Sequence, residues 1–259
     1  MNKVALITGA SSGIGKELAR IHAEQGGDLV IIARSGDKLK ELKSELEQKH
    51  SIKVHCITKD LTNSNAPKEI YDELNQAGIA IEYLINNAGF GGLGKFHERE
   101  WEKDLAMINL NIIALTALTR HFLPDMVKRN SGRILNVSST AGLMPGPLQA
   151  VYYATKAYVN SFSNAIAEEL YDTNITVTSL QPGATETGFG SISGMDKTEM
   201  FRKTASARSV AQDGYDGMMQ GKLDVISGLS CMNKMMISMV PILPKKMALK
   251  QIREMQEVN

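Results

Sequence analysis

A short apolar run, Val4-Ala-Leu-Ile-Thr8, breaks directly into the glycine-rich Gly9-x-x-x-Gly13-x-Gly15, and this junction constrains the chain most. Successive strand residues point to opposite faces, so a run that is apolar at every position must be covered on both sides. Such strands belong to parallel sheets sandwiched between helices. Similar runs recur at 29–33, 53–58, 83–85, 133–137 and 175–180, with helix-period segments at 15–25, 38–49 and 66–76 between the earlier ones. The pattern predicts a repeated βαβ arrangement, hence an α/β fold with a doubly wound parallel sheet. Two longer helices are expected over 98–126 and 151–171, the first bending or ending near Pro124. Beyond Leu180 the alternation loosens.

Composition narrows the class. The 259 residues suit one domain, and a core of that size buries about three quarters of the unfolded surface. With 43% hydrophobic residues, 22% charged residues and a formal charge of +1, nothing marks a nucleic-acid-binding surface. Cys56 and Cys231 form no Cys-x-x-Cys, and His22, His50, His55, His97 and His121 have no ligand spacing with carboxylates, so no metal site is expected. The first strand begins by Val4 without a basic segment or an apolar leader, which gives a cytoplasmic location as the expectation.

The glycine loop follows the first strand and opens the first helix, where a tight turn lets a pyrophosphate approach backbone amides at the positive end of the helix dipole. A strand-to-helix turn alone could use the same glycines. In a Rossmann-type dinucleotide site an acid after the second strand holds ribose hydroxyls, whereas a base receives a 2′-phosphate. Here Arg34 and Ser35 stand at that junction, with no carboxylate. A planar guanidinium suits the phosphate, so NADP(H) is favoured over NAD(H); the competing reading is a solvated arginine.

Tyr152 and Lys156 lie four residues apart, thirteen or more residues after Ser139. On a helix they share a face, and an ammonium beside the phenol would lower a tyrosine pKa that otherwise lies near ~10. Tyr152 therefore reads as a tuned general acid/base. Tyr153, three residues from Lys156, is a rival and reads better as packing.

Across roughly its first 190 residues the chain resembles the short-chain dehydrogenases/reductases. Thr8-Gly-Ala-Ser-Ser-Gly-Ile-Gly15 is similar to that family's cofactor motif, which assigns cofactor contacts to Gly9, Ser11, Ser12, Gly13, Ile14 and Gly15. The resemblance further implies Asp60 at the adenine, Leu61 among the cofactor contacts, and Asn87, Ala88 and Gly89 of the Asn-Ala-Gly segment that steadies the central sheet. Pro182, Gly183, Thr185 and Thr187 match the segment that holds the nicotinamide carboxamide. Ser138-Ser-Thr-Ala-Gly142 matches the serine motif and makes Ser139 catalytic with Tyr152 and Lys156. The fourth member, an asparagine in the long helix, is Asn111 or Asn109; Asn111 fits better because Ala114 then fills the family's small-residue position. By the same resemblance Lys156 binds nicotinamide ribose, Asn111 holds a water, and the partners are a small carbonyl or alcohol and further copies in a homodimer or homotetramer. The segment 151–157 and the ending from Val225 to Lys246 resemble a bacterial-type branch that fixes no substrate.

These readings divide one domain, 1–259, into a cofactor-binding and catalytic core (1–187), a substrate lid (188–210) with Gly188, Gly190, Gly194 and a helical-looking 196–203, and a C-terminal extension (229–259). The extension carries Met232, Met235, Met236, Met239 and Met247, which suit a packed extension or subunit interface, a wall for a lipophilic substrate, or a membrane-surface contact. Lys234 and two prolines interrupt an apolar run far shorter than the ~20 residues of a spanning helix. The expected activity is NADP(H)-dependent interconversion of a carbonyl and an alcohol. The alternatives are a 3-ketoacyl or hydroxysteroid reductase and, in a different class, an idle NADP(H)-sensing scaffold.

Overall fold

The computed structural model describes residues 3–198, 201, 204–230 and 245–257. Strands and helices alternate as β1 (Val4–Thr8), α1 (Gly13–Glu24), β2 (Asp28–Ala33), α2 (Gly36–Lys49), β3 (Val54–Thr58), α3 (Ala66–Gln76) and β4 (Tyr83–Asn86). After them come α4 (Trp101–Ile108), a π-helical turn (Asn109–Ala114), α5 (Leu115–Arg129), β5 (Gly132–Val137), α6 (Ala150–Glu169) and β6 (Ile175–Pro182). A seven-stranded parallel sheet results, ordered β3-β2-β1-β4-β5-β6-β9, its last strand β9 being Asp224–Ser227. It is the Rossmann-type doubly wound arrangement that the apolar runs predict.

The apolar runs work as expected. Ala5 and Ile7 of β1 face a layer with Leu18 and Ile21 of α1 and Leu39, Leu42 and Leu46 of α2. Leu6, between them, faces the opposite layer with Ile70 and Leu74 of α3 and Leu118, Phe122 and Met126 of α5. By length and apolarity the stretch Trp101–Arg129 could cross a membrane. Here its Leu118, Phe122 and Met126 are buried against the sheet.

Three expectations change. Pro124 lies inside α5 and neither ends nor starts it; the helix runs to Arg129 and stops at Asn130, which adopts the left-handed conformation at φ 49°. Losing one backbone donor costs less here than abandoning the burial of Phe122 and Met126 on either side of the proline. The break in this long helix comes earlier, at the π turn 109–114, and its start is Trp101 rather than 98. Past Leu180 the order persists, since β6 continues to Pro182 and is followed by β7 (Thr185–Glu186), α7 (Phe189–Ser193), β8 (Ala205–Ser206), α8 (Ala207–Met219), β9 and α9 (Lys245–Gln256). Among the described residues of the helical-looking 196–203, a 3-10 turn spans Met195–Lys197 and Phe201 is also in 3-10 conformation. Residues 199–200 and 202–203, Cys231 and the methionines at 232, 235, 236 and 239 lie outside the described residues.

Behind the cleft a buried amide chain ties sheet to helices. Asn86 Nδ2 donates to Asn136 Oδ1 at 2.9 Å and to Thr119 Oγ1 at 3.2 Å, and Asn136 Nδ2 donates to Ser163 Oγ of α6 at 2.9 Å. Asn136 is fully buried. Asn136→Ala strips partners from two buried groups and is expected to cost about 2–3 kcal/mol of stability, read as a lower urea midpoint at unchanged slope.

Candidate active site

The strand order reverses between β1 and β4, and at the C-terminal ends of these strands a cleft of about 1890 Å3 opens. Gly9 and Gly13 hold positive φ of 67° and 55°, values at which a side chain is strained. A Cβ on Gly13 would also stand 2.9 Å from Thr187 Cγ2. Ser11, Ser12, Gly13 and Ile14 line the cleft, and Ser12, the N-cap of α1, makes no side-chain cap bond, so the first-turn amides remain open to an anion. Gly15 is different: it lies outside the cleft lining, and its Cβ would stand 2.4 Å from Asn87 Nδ2. Its place is explained by close packing of α1 on the sheet.

Arg34 and Ser35, at the end of β2, are exposed and line the cleft together with Lys38 and Lys59. Three cationic side chains thus line this end of the cleft, Lys59 also pairing with Glu69 at 2.9 Å. Asp60 Oδ1 accepts from Thr62 N at 2.9 Å and Thr62 Oγ1 at 2.8 Å, and chiefly the backbone bond holds this carboxyl below its usual range. Leu61, Asn87, Ala88 and Gly89 line the floor, with Pro182, Gly183, Thr185 and Thr187 opposite. Glycine cradle, open helix terminus and cationic edge fit a phosphorylated dinucleotide.

At the other end α6 begins. Tyr152 and Lys156 are both buried on the same face of α6. Ser139 and Tyr152 both line the cleft, Ser139 Oγ accepting from Ala141 N at 3.1 Å and donating to Pro182 O at 3.4 Å, and Lys156 Nζ donates to Val137 O at 2.8 Å. Ser138 Oγ clamps the helix by donating to Lys156 O at 2.9 Å. A Cβ on Gly142 would fall 2.6 Å from that same carbonyl, which accounts for the glycine of the serine motif.

The electrostatics depart from expectation. The largest effect on Tyr152 is burial, which pushes its phenol up to about 12 against a smaller downward pull from Ser139. Burial lowers Lys156 to about 8. The ammonium stands 6.0 Å from the Tyr152 ring centroid, engaged with Val137, so the predicted lowering of the phenol by its neighbour is not seen here. Removal of both groups from water outweighs their mutual attraction at that separation.

Asn111 sits behind the cleft rather than in its lining. Its Oδ1 accepts from Phe90 N at 3.2 Å, while Nδ2 donates to Phe90 O and to Thr155 Oγ1, each at 3.0 Å. The π turn aims it there, and a Cβ on Gly89 would lie 3.0 Å from Asn111 Oδ1 and 3.4 Å from Lys156 Nζ. Gly89 therefore keeps the gap between amide and ammonium clear. Tyr153 is buried packing: its ring lies against Gly146, and its hydroxyl accepts from Gln256 Nε2 at 2.8 Å.

Lys38 and Lys59 were not expected at this edge; Lys59 reaches it through the parallel register of β2 and β3. Thr155, paired with Asn111 across 44 positions, and Phe90 of the substrate-side wall were likewise not expected, whereas Phe189 lies in the expected lid segment and Ile252 and Met255 in the C-terminal extension for which a substrate wall was one reading. Lys38, one helical turn past Arg34, carried a usable signal. Lys59, Thr155 and Phe90 carried none. Among the described residues no cluster of metal-ligating side chains forms.

Comparison with known proteins agrees with this geometry. The profile of the short chain dehydrogenase family matches residues 3–197. The chain is 36% identical over 188 residues to the human (Homo sapiens) very-long-chain 3-oxoacyl-CoA reductase, covering 69% of this chain and 58% of that protein. It thus spans little more than half the length of these curated relatives. Sulfoacetaldehyde reductase 2 of Chromohalobacter salexigens is 36% identical over 194 residues, covering 73% and 75% of the two chains. Among solved structures, a short-chain dehydrogenase from Sphingobium yanoikuyae in complex with NADPH superposes with a TM-score of 0.84 at 29% identity, over 99% of both chains. The bulky-bulky ketone specific alcohol dehydrogenase from Comamonas testosteroni gives 0.79 at 27% identity, over 93% of this chain and 92% of that one. Sheet order, glycine cradle, the Ser139, Tyr152 and Lys156 cluster and the family match across most of the sequence agree: the chain belongs to the short chain dehydrogenase family.

Proposed function

We propose that the protein interconverts a carbonyl and an alcohol with NADP(H), using Ser139 and Tyr152 to hold the substrate oxygen and Tyr152 as general acid/base. The observation that carries this reading is the convergence of Ser139 and Tyr152 on the cleft wall, with the buried Lys156 on the same face of α6 as the tyrosine. Similarity to structures complexed with NADPH, and the Arg34, Lys38 and Lys59 group, support the phosphorylated cofactor.

NADPH, when bound between the glycine loop and the 182–187 segment, supplies the hydride. The two hydroxyls donate hydrogen bonds where negative charge develops on the substrate oxygen. A phenol held as high as about 12 keeps its proton until that charge appears, then transfers it. Lys156, cationic below about 8, stabilises the phenolate left behind. Asn111, pinned to Phe90 and Thr155, holds the region behind the ammonium in place and faces it across Gly89.

The substrate end is walled by Phe90, Met144, Phe189, Met195, Ile252 and Met255, which favours an apolar carbonyl compound and keeps the 3-ketoacyl or hydroxysteroid reading as the second choice. α7 and the 195–198 turn stand where a lid over this end would act; the glycines 188, 190 and 194 serve as its hinges. Leu105, Ile113 and Tyr158, exposed on the long helices, support assembly into a homodimer or homotetramer.

Three outcomes test the assignment. Tyr152→Phe keeps the ring and its packing but removes the proton donor, so NADPH-dependent reduction across a carbonyl panel is expected to fall by about 10³-fold or more with NADPH affinity retained; retained turnover moves the role elsewhere. With wild-type enzyme, kcat/KM for reduction should be level below about pH 7 and decline as pH rises through about 8, where Lys156 loses its charge; a flat profile removes the lysine from the proton step. Arg34→Ala combined with Ala33→Asp should turn the NADPH/NADH preference toward NADH, and an unchanged ratio in steady-state assays refutes the phosphate assignment.

A further inference from the structure

The second helix at the substrate end, α9, is tied to the start of the catalytic helix by a polar contact that the proposed chemistry does not use. Ala248, Ile252 and Gln256 form its buried stripe, one per helical turn. The last of these is a glutamine with no exposed surface. Its Nε2 donates to the Tyr153 hydroxyl at 2.8 Å, and its Oε1 accepts from Gln149 Nε2 at 2.9 Å. Gln149, itself buried, is the N-cap residue of α6, and Tyr153 follows Tyr152 directly. Burying an amide is unfavourable unless its donor and acceptor are both met, and here both are. The adjoining face of the same helix, with Gln251, Ile252 and Met255, lines the cleft.

We propose that Gln256 is a positioning residue that latches α9 to the first turn of α6, so that Ile252 and Met255 form a fixed apolar wall for carbonyl substrates with bulky apolar arms. This rests on the carbonyl-reductase reading of the site for its kinetic consequence, but the latch itself does not. An apolar stripe alone would hold the helix anywhere along a greasy groove; two directed hydrogen bonds to residues 149 and 153 fix its register against the catalytic tyrosine. The wall then discriminates by size. A small ketone leaves it untouched, whereas a ketone carrying two aryl groups must lean on it.

The test uses the full-length protein and Gln256→Met, which keeps an unbranched side chain of similar length and removes only the amide. Amide hydrogen exchange over residues 245–257 should become about tenfold faster, the size expected when one or two buried hydrogen bonds are lost. KM for a diaryl ketone should rise about tenfold with kcat within about twofold, KM for acetone and affinity for NADPH being unchanged. Tyr153→Phe deletes one acceptor without disturbing the ring and should give a smaller effect in the same direction, and in the double variant the two should not add. Unchanged exchange in Gln256→Met overturns the latch. Faster exchange with an unaltered diaryl-ketone KM, or a loss of kcat with every substrate, overturns the positioning role. If wild-type enzyme reduces no carbonyl at all, the activity reading falls while the exchange measurement still decides the latch.

Discussion

Everything at the site depends on how closely β1, β4 and α1 approach one another at the point where the strand order reverses. Thr8 Oγ1 accepts from the backbone amides of Asn87 and Ala88, each at 3.0 Å, and Asn87 Nδ2 donates back to Thr8 O at 2.9 Å. One threonine and one asparagine thereby join two strand ends that are far apart in sequence. The helix can then descend onto this joint only because Gly15 has no side chain. Any larger residue would lift α1 and move the amides at its N-terminus away from the cleft. Phosphate recognition is thus a consequence of packing: the same contact that closes the sheet aims the helix terminus.

A second constraint acts on the proton-transfer groups. α6 brings a phenol and an amine into the protein interior, and desolvation moves their pKa values in opposite directions, the tyrosine upward and the lysine downward. Reasoning from i,i+4 spacing alone emphasises attraction between the two. Burial proves the stronger term, and the backbone supplies what water no longer does: Val137 O receives the ammonium, and Ser138 holds the helix at that depth. A neutral, high-pKa phenol is a poor spontaneous acid, which suits a group that should release its proton only to an oxygen already gaining charge.

Much of this was legible because it is local. The apolar runs gave six of the seven strands of the sheet, to within a residue or two, and the glycines at 9, 13, 15 and 142 each correspond to a contact that leaves no room for a Cβ. What escaped depends on long-range geometry. Pro124 signals a break by its own chemistry, yet α5 continues because burial on both sides outweighs one lost bond. The true irregularity, the π turn that turns Asn111 inward, is carried by Asn-Leu-Asn-Ile-Ile-Ala, in which no residue is a helix breaker. Lys59 joins Arg34 in the cleft lining only after β2 and β3 are brought side by side, and β9 is too short and too polar at its start to stand out as an apolar run.

The two ends of the cleft consequently differ in how they are specified. At the cofactor end the contacts come from backbone turns following β1, β4 and β6, so they are bound to the sheet and to a few glycines that can be read in order. At the substrate end they come from side chains of Phe90, α7 and α9, elements that reach the cleft from separate parts of the sequence and share none of the sheet's hydrogen bonds. Phe189 packs against the Tyr152 ring at 5.4 Å between centroids, and Gln256 grips Tyr153 from the other side. The paired tyrosines are therefore where the two ends meet. A change in α7 or α9 can reshape the substrate wall without disturbing the sheet, provided the contacts to Tyr152 and Tyr153 are kept, so the shape of that wall and the geometry of Ser139, Tyr152 and Lys156 are set by separate parts of the chain.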